Sequence, residues 1–196
     1  MSASEEETKQ TIFYNARTYS DWQAKDIPNT ILKNLYDLMK WGPTSANCSP
    51  ARLIFIKSPK AKARLKPFII ESNLKKTMSA PVTAIIAFDI DFYKYLPKLF
   101  PHDLDAQNWF NYSKEVAETN AFRNSSIQGG YFIIASRMLG LDCGPMSGFD
   151  QTGVDKEFFP NSNIKSNFLC NIGYGDAKNL FKRSPRFDFD EICEIL

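Results

Sequence analysis

Histidine occurs once in this 196-residue chain, as His102, and that scarcity removes whole classes of chemistry. Ser–His–Asp and Cys–His relays need a placed imidazole. His102 instead sits in a proline-flanked, irregular stretch, the setting of an exposed loop histidine. The four cysteines, Cys48, Cys143, Cys170 and Cys193, are far apart and none forms a CxxC pair. With one histidine, that spacing argues against a zinc site, so no metal is expected. Scattered, mostly apolar-flanked cysteines fit reduced thiols rather than a disulfide framework. No run approaches the ~20 apolar residues of a membrane span. The N-terminus, Ser-Ala-Ser-Glu-Glu-Glu-Thr-Lys, is acidic and polar where a secretory leader is basic and then apolar. A soluble, cytoplasmic protein is expected.

One-signed charge is lacking too. The net charge is +2 and the basic residues are scattered, which argues against a nucleic-acid footprint. There is no GxGxxG, P-loop or GxSxG. Gly173-Tyr174-Gly175 is only a fragment of a dinucleotide fingerprint, with no clear helix after it.

What the chain does have is aromatic weight, 16 Phe, 8 Tyr and 3 Trp, more than one small core needs, which favours a partner surface. Its length suits one domain. Residues 1–10 read as a disordered N-terminus and 11–196 as a single domain. Leu32, Leu35, Leu38 and Met39 recur at helical spacing within a helix expected over 30–40, with Pro28 just ahead. Strands are expected over 52–57, 82–88 and 168–173, and short helices over 59–65, 71–79 and 151–159. Residues 92–112 read as an aromatic, irregular excursion, and 115–139 as the longest helix, closed by Gly140. Residues 141–150 are glycine-rich, with 144–148 read as a turn. Strands and helices alternate without a doubly wound rhythm, so the expectation is α+β: a central mixed sheet flanked by helices.

Polar clusters interrupt this frame. They are Ala16-Arg17-Thr18, Pro43-Thr44-Ser45-Ala46-Asn47, Asn73-x-x-Lys76, Gly144-Pro145-Met146-Ser147-Gly148 and Lys182-Arg183-Ser184-Pro185-Arg186. Small polar residues in a turn present hydroxyls, carboxamides and free N–H groups together. Each cluster also has a plain reading: exposed arginines, capping Asn73 and Thr44-Ser45, ordinary turn glycines, and Lys76 on a charged helix face.

Taken in order, the clusters resemble the FMN-dependent nitroreductase family from about residue 11 to the C-terminus. Segments 41–52, 121–126, 140–150 and 166–176 resemble most closely its malonic semialdehyde reductases of pyrimidine degradation. The resemblance implies a nitroreductase-like fold, an interlocked homodimer and FMN sites shared between subunits. It implies FMN contacts from Arg17, Thr18, Pro43, Thr44, Ser45, Asn47, Asn73, Lys76, Pro145, Ser147, Gly148, Arg183 and Arg186, with 43–47 reaching the other subunit's flavin. Ser147 stands where many members have Glu. The chemistry suits the residues: guanidinium forks for phosphate, hydroxyls and amides for the ribityl chain, and the Lys76 ammonium beside the flavin N1–C2=O edge.

The implied activity is ping-pong hydride transfer through flavin N5, from NADH or NADPH to malonic semialdehyde, giving 3-hydroxypropionate. The flavin carries the redox chemistry, so no catalytic side chain is expected and water is a sufficient proton donor. The carboxylate of such a substrate calls for a cation. Arg123 is the first candidate and His102 the weaker, although an exposed or ion-paired role is as natural for Arg123. The alternatives are a broad nitroaromatic or quinone reductase, or a flavin-binding protein without turnover.

Overall fold

The computed structural model describes residues 3–196. Its centre is a four-stranded sheet ordered β1-β2-β4-β3, with β1 Ala51–Ile56, β2 Val82–Asp89, β3 Asp142–Met146 and β4 Ile164–Gly173. Every neighbouring pair is antiparallel. This corrects the mixed sheet expected from sequence. β2 and β3, joined across the longest helix, run in the same direction, but β4 inserts between them and reverses each pairing. One isolated parallel bridge remains, Thr18 with Cys143.

β2 is buried along its whole length, as a central strand must be. Its side chains alternate between faces. Val82, Ala84 and Ile86 meet Leu32, Leu35, Met39 and Phe132 of α2 (Asn29–Met39) and α6 (Lys114–Met138). Ile85 and Ala87 meet Leu65, Leu74 and Val154 of α3 (Pro59–Leu65), α4 (Glu71–Ser79) and α7 (Gln151–Phe158). The sheet thus lies between two helical layers. A third cluster, around Phe88, Phe92, Leu96 and Phe110, gathers the excursion, whose one α-helical turn is α5 (Leu96–Leu99).

Local chemistry sets the helix ends. The Ser58 hydroxyl caps α3 by accepting from Ala61 N, and Ser113 caps α6 by accepting from Val116 N at 3.2 Å. α6 closes in a Schellman turn: Gly140 N donates to Arg137 O and Leu141 N to Ser136 O, with Gly140 at φ 74°.

Two further expectations are corrected. Residues 144–148 are not all turn. Asp142–Met146 forms β3, the edge strand of the four-stranded sheet, and Pro145 stands there two residues beyond Cys143, where the Thr18 bridge pairs on its outer side. The disorder expected over 1–10 does not extend through 3–10; residues 1 and 2 lie outside the described residues. Ala3–Lys9 forms α1, which runs into a π-helical turn at Gln10–Tyr14. Glu5 and Glu6 in its first turn and Lys9 in its last complement the helix dipole, and Gln10 Nε2 donates to Glu6 Oε1 at 2.8 Å. A short helix, α8 (Phe189–Ile192), follows in the exposed tail.

Candidate functional site

After the π-helical turn the chain extends along the outer side of β3. Tyr19 N donates to Cys143 O at 3.1 Å, Gln23 N to Tyr174 O at 2.8 Å and Asp176 N to Asp21 O at 2.9 Å. This zipper fixes Arg17 and Thr18 beside the start of β3. The tail folds back over the same segment: Arg183 Nη2 donates to Tyr14 O at 2.7 Å and to Ala16 O at 2.9 Å, and the Arg17 guanidinium donates to Phe181 O.

Between segment and tail lies a cavity of about 830 Å³. Arg17, Thr18, Arg183 and Arg186 line it, as do Lys182 and Arg137. Only Asp21 and Asp176 among its lining residues are carboxylates, so five cations face two anions. Arg137 was not singled out in the sequence. It donates through Nη1 to Ile12 O at 2.8 Å, while its Nε is buried without a partner. The one sequence signal for it is a basic residue in the last turn of the longest helix.

A second group of expected residues is tied to the extended segment through Trp22, whose indole N–H donates to Lys76 O at 3.1 Å. α4 is thereby pinned beside the end of β3. Asn73, buried on α4, donates from Nδ2 to Gly148 O at 2.9 Å. The approach requires glycine: a Cβ on residue 148 would stand 2.5 Å from Ile70 Cδ1 and 2.6 Å from Asn73 Nδ2. Pro145 and Ser147 are exposed at this edge while Met146 points inward. Lys76 is half-buried, and its ammonium has no ion pair or hydrogen bond among the described residues.

Behind α4, Lys62 of α3 donates to Thr77 O at 2.7 Å and to Thr83 Oγ1 at 2.6 Å, and Thr83 Oγ1 lies 2.7 Å from Asn171 Oδ1. Burial lowers the Lys62 ammonium from the ordinary lysine value to about 8. Desolvation, followed by the Asp142 carboxylate, pushes the Tyr19 phenol up and keeps it protonated.

The remaining expected residues lie elsewhere in the chain. Pro43, Thr44, Ser45 and Asn47 sit on α6 and α5, and none of them lines the cationic cavity. Thr44 Oγ1 accepts from Ser49 N, and Asn47 Nδ2 donates to Leu99 O, so both side chains brace the loop. Arg123 is exposed on α6 with no hydrogen bond or ion pair among the described residues. His102 is exposed in the excursion, edge-on to Phe100 at 5.4 Å. Neither meets the cavity of its own chain.

A profile of the nitroreductase family matches residues 15–174, which takes in the segment, the loop, α4 and the whole sheet. The chain belongs to the nitroreductase family. A Burkholderia lata protein bearing the name NADH dehydrogenase/NAD(P)H nitroreductase is 58% identical over 184 residues, 94% of each chain. The ydfN nitroreductase structure from Bacillus subtilis has a TM-score of 0.89 at 17% identity, covering 98% of this chain and 100% of that one. A nitroreductase from Exiguobacterium sibiricum, solved in complex with FMN, has a TM-score of 0.84 at 17% identity, covering 95% and 96%. Family members share this α+β frame. Among the described residues no helix is long and apolar enough to cross a membrane, and no group of His, Cys, Asp or Glu is arranged to hold a metal.

Proposed function

We propose that this nitroreductase-family protein is an FMN-dependent NAD(P)H oxidoreductase. The observation that carries the reading is the cationic cavity between the extended segment and the tail. Five cations against two carboxylates suit a dianionic phosphate. Gly148 lets Ile70 and Asn73 pack against the backbone of an edge whose Pro145 and Ser147 are exposed, and Lys76 supplies an uncommitted positive charge on the same helix as Asn73. The residues present fit FMN. When bound, FMN supplies the hydride-transfer chemistry.

The protein's own part is binding and electrostatics. Arg17, Arg183 and Arg186 hold the phosphate, with Thr18 beside them. Asn73, Lys76, Pro145, Ser147 and Gly148 flank the ring, and Lys76 stabilises negative charge that develops there. Pro43, Thr44, Ser45 and Asn47 complete the site in the partner of a cytoplasmic homodimer. Two features support the dimer: the distance of that loop from its own chain's cavity, and the exposed apolar side chains, among them Trp41 at 81% and Phe181 at 90% exposure.

For the substrate, the segments resembling malonic semialdehyde reductases favour reduction of malonic semialdehyde to 3-hydroxypropionate, with NAD(P)H leaving before the aldehyde binds. The name of the Burkholderia lata relative favours a second reading, a broad nitroaromatic reductase. Specificity constants decide between them. A kcat/KM for malonic semialdehyde at least about tenfold above that for nitrobenzene, equivalent to ~1.4 kcal/mol in transition-state binding, supports the first. The reverse order overturns it.

A further inference from the structure

The loop between α2 and β1 holds its backbone in an expensive shape. Ala46, Asn47 and Ser49 all have positive φ, at 47°, 50° and 40°. A non-glycine residue there costs on the order of 1–3 kcal/mol, and such strain persists only where surrounding contacts over-determine it. Asn tolerates the region better than Ala or Ser, so it relieves only one of the three positions.

The contacts come from one face of α6. Asn124 Oδ1 accepts from Ser45 N at 2.9 Å, Gln128 Oε1 accepts from Ala51 N at 2.8 Å, and Tyr131 OH donates to Pro43 O at 3.2 Å. These positions are spaced i, i+4 and i+7, so they form a single stripe of rungs. Asn124 and Gln128 are only 2% and 6% exposed. A carboxamide buried on a helix is costly unless bonded, and here each carboxamide oxygen meets a backbone N–H of the loop or its exit. The Asn124 amide is turned by its own bond from Nδ2 to Asn120 O at 2.9 Å, which aims the oxygen at Ser45. On its far side the loop is tied to the excursion, where Asn47 Nδ2 donates to Leu99 O at 2.8 Å.

We propose that Asn124 and Gln128 are positioning residues. Their buried carboxamide oxygens hold the left-handed turn of residues 44–49 in the one shape that presents Ser45 and Asn47 to the flavin, and they set the register between α6 and the aromatic excursion. What the loop presents itself to rests on the flavin reading above. That the carboxamides hold it does not.

The test uses the full-length protein. Hydrogen exchange, followed by NMR on the cofactor-free form, reads the two amides directly. Asn124→Leu should raise exchange at Ser45 N roughly tenfold, and Gln128→Met should do the same at Ala51 N, the loss of about one hydrogen bond each. Gln128→Glu keeps the acceptor without removing a bonded donor and should restore protection at Ala51 N. With FMN added, the Leu and Met variants should bind it about tenfold more weakly and change the visible circular dichroism of the bound flavin. The acceptor-keeping Gln128→Glu variant should return both toward wild type. A fall in melting temperature alone, with wild-type affinity and dichroism, makes the stripe merely structural and overturns the proposal. So does unchanged exchange at both amides. If Asn124→Leu fails to fold, Gln128→Met reads the same loop from its other end. If the wild-type protein does not bind FMN, the flavin reading fails, and exchange still decides whether the carboxamides hold the loop.

Discussion

Arg183 and Arg186 are three residues apart, line one cavity and should nevertheless respond differently to removal. Arg183 spends its guanidinium on two carbonyls of another segment, Tyr14 O and Ala16 O, and so latches the tail over the cavity. Arg186 bonds only to Ser184 O and Pro185 O, carbonyls of its own tail, and holds nothing else together. Hydrogen bonds to charged groups are worth ~1.5–3 kcal/mol, and exposure places both residues toward the lower end. Arg186→Ala should therefore weaken FMN binding by about 1.5 kcal/mol, roughly tenfold in Kd, with the melting temperature of the cofactor-free protein unchanged. Arg183→Ala should lose a similar factor in Kd and also lower that melting temperature, because the latch itself is gone. The assay is quenching of FMN fluorescence on titration with cofactor-free protein, paired with thermal unfolding. Equal melting shifts in the two variants would contradict the division of roles. Unchanged Kd in both Arg186→Ala and Arg17→Ala would remove the phosphate from this cavity altogether.

Three other outcomes follow from the same geometry. Lys76→Met should lower the reduction potential of bound FMN and slow its reduction by NAD(P)H, since the unpaired ammonium at the ring wall is lost; a potential within error of wild type in spectroelectrochemical titration refutes this. Arg123→Ala should reduce kcat/KM for malonic semialdehyde while sparing an uncharged aldehyde; equal losses with both, or none, remove Arg123 from the substrate site. Lys62 binds its proton more weakly folded, at about 8, than unfolded, near 10.5. The stability of wild type relative to Lys62→Met should therefore be flat below about pH 8 and rise between pH 8 and 10.5, by on the order of 3 kcal/mol at most. Urea melts at pH 7 and pH 10 that show a constant difference between the two proteins contradict it.

Much of the helical frame was legible because its signals are local. Pro59–Leu65 and Glu71–Ser79 match the sequence expectation residue for residue, and α2 and α6 shift by no more than a residue at either end. Ser and Pro at starts, Gly140 at an end and apolar spacing carry that information. Sheet direction was not legible, because it depends on β4 entering between β2 and β3, a choice made over long range. The polar composition of residues 3–10 hid a helix whose support is pairs such as Glu6 with Gln10 rather than an apolar face.

The site divides in the same way. Arg17, Thr18, Arg183 and Arg186, read through family resemblance, line one cavity, while Asn73, read in the same way, meets Gly148 on the helix that carries Lys76, which Trp22 ties to the same extended segment. The roles of Arg137, Asn124 and Gln128 were not readable, since their meaning lies in which backbone atom each faces: Ile12 O, Ser45 N and Ala51 N. Asn47 reads in sequence as a ligand contact. In the fold its amide nitrogen is committed to Leu99 O, which leaves Oδ1 for a ligand.

The central claim, that this member of the nitroreductase family passes electrons from NAD(P)H through bound FMN, is tested most directly by one anaerobic titration. The protein is purified, loaded with FMN to saturation and titrated with NADH and separately with NADPH while its visible flavin band is followed. The account predicts one FMN per chain and full bleaching by one equivalent of at least one of the two nucleotides. A flavin that stays bound in that stoichiometry, yet is bleached by neither nucleotide and only by dithionite, would contradict it.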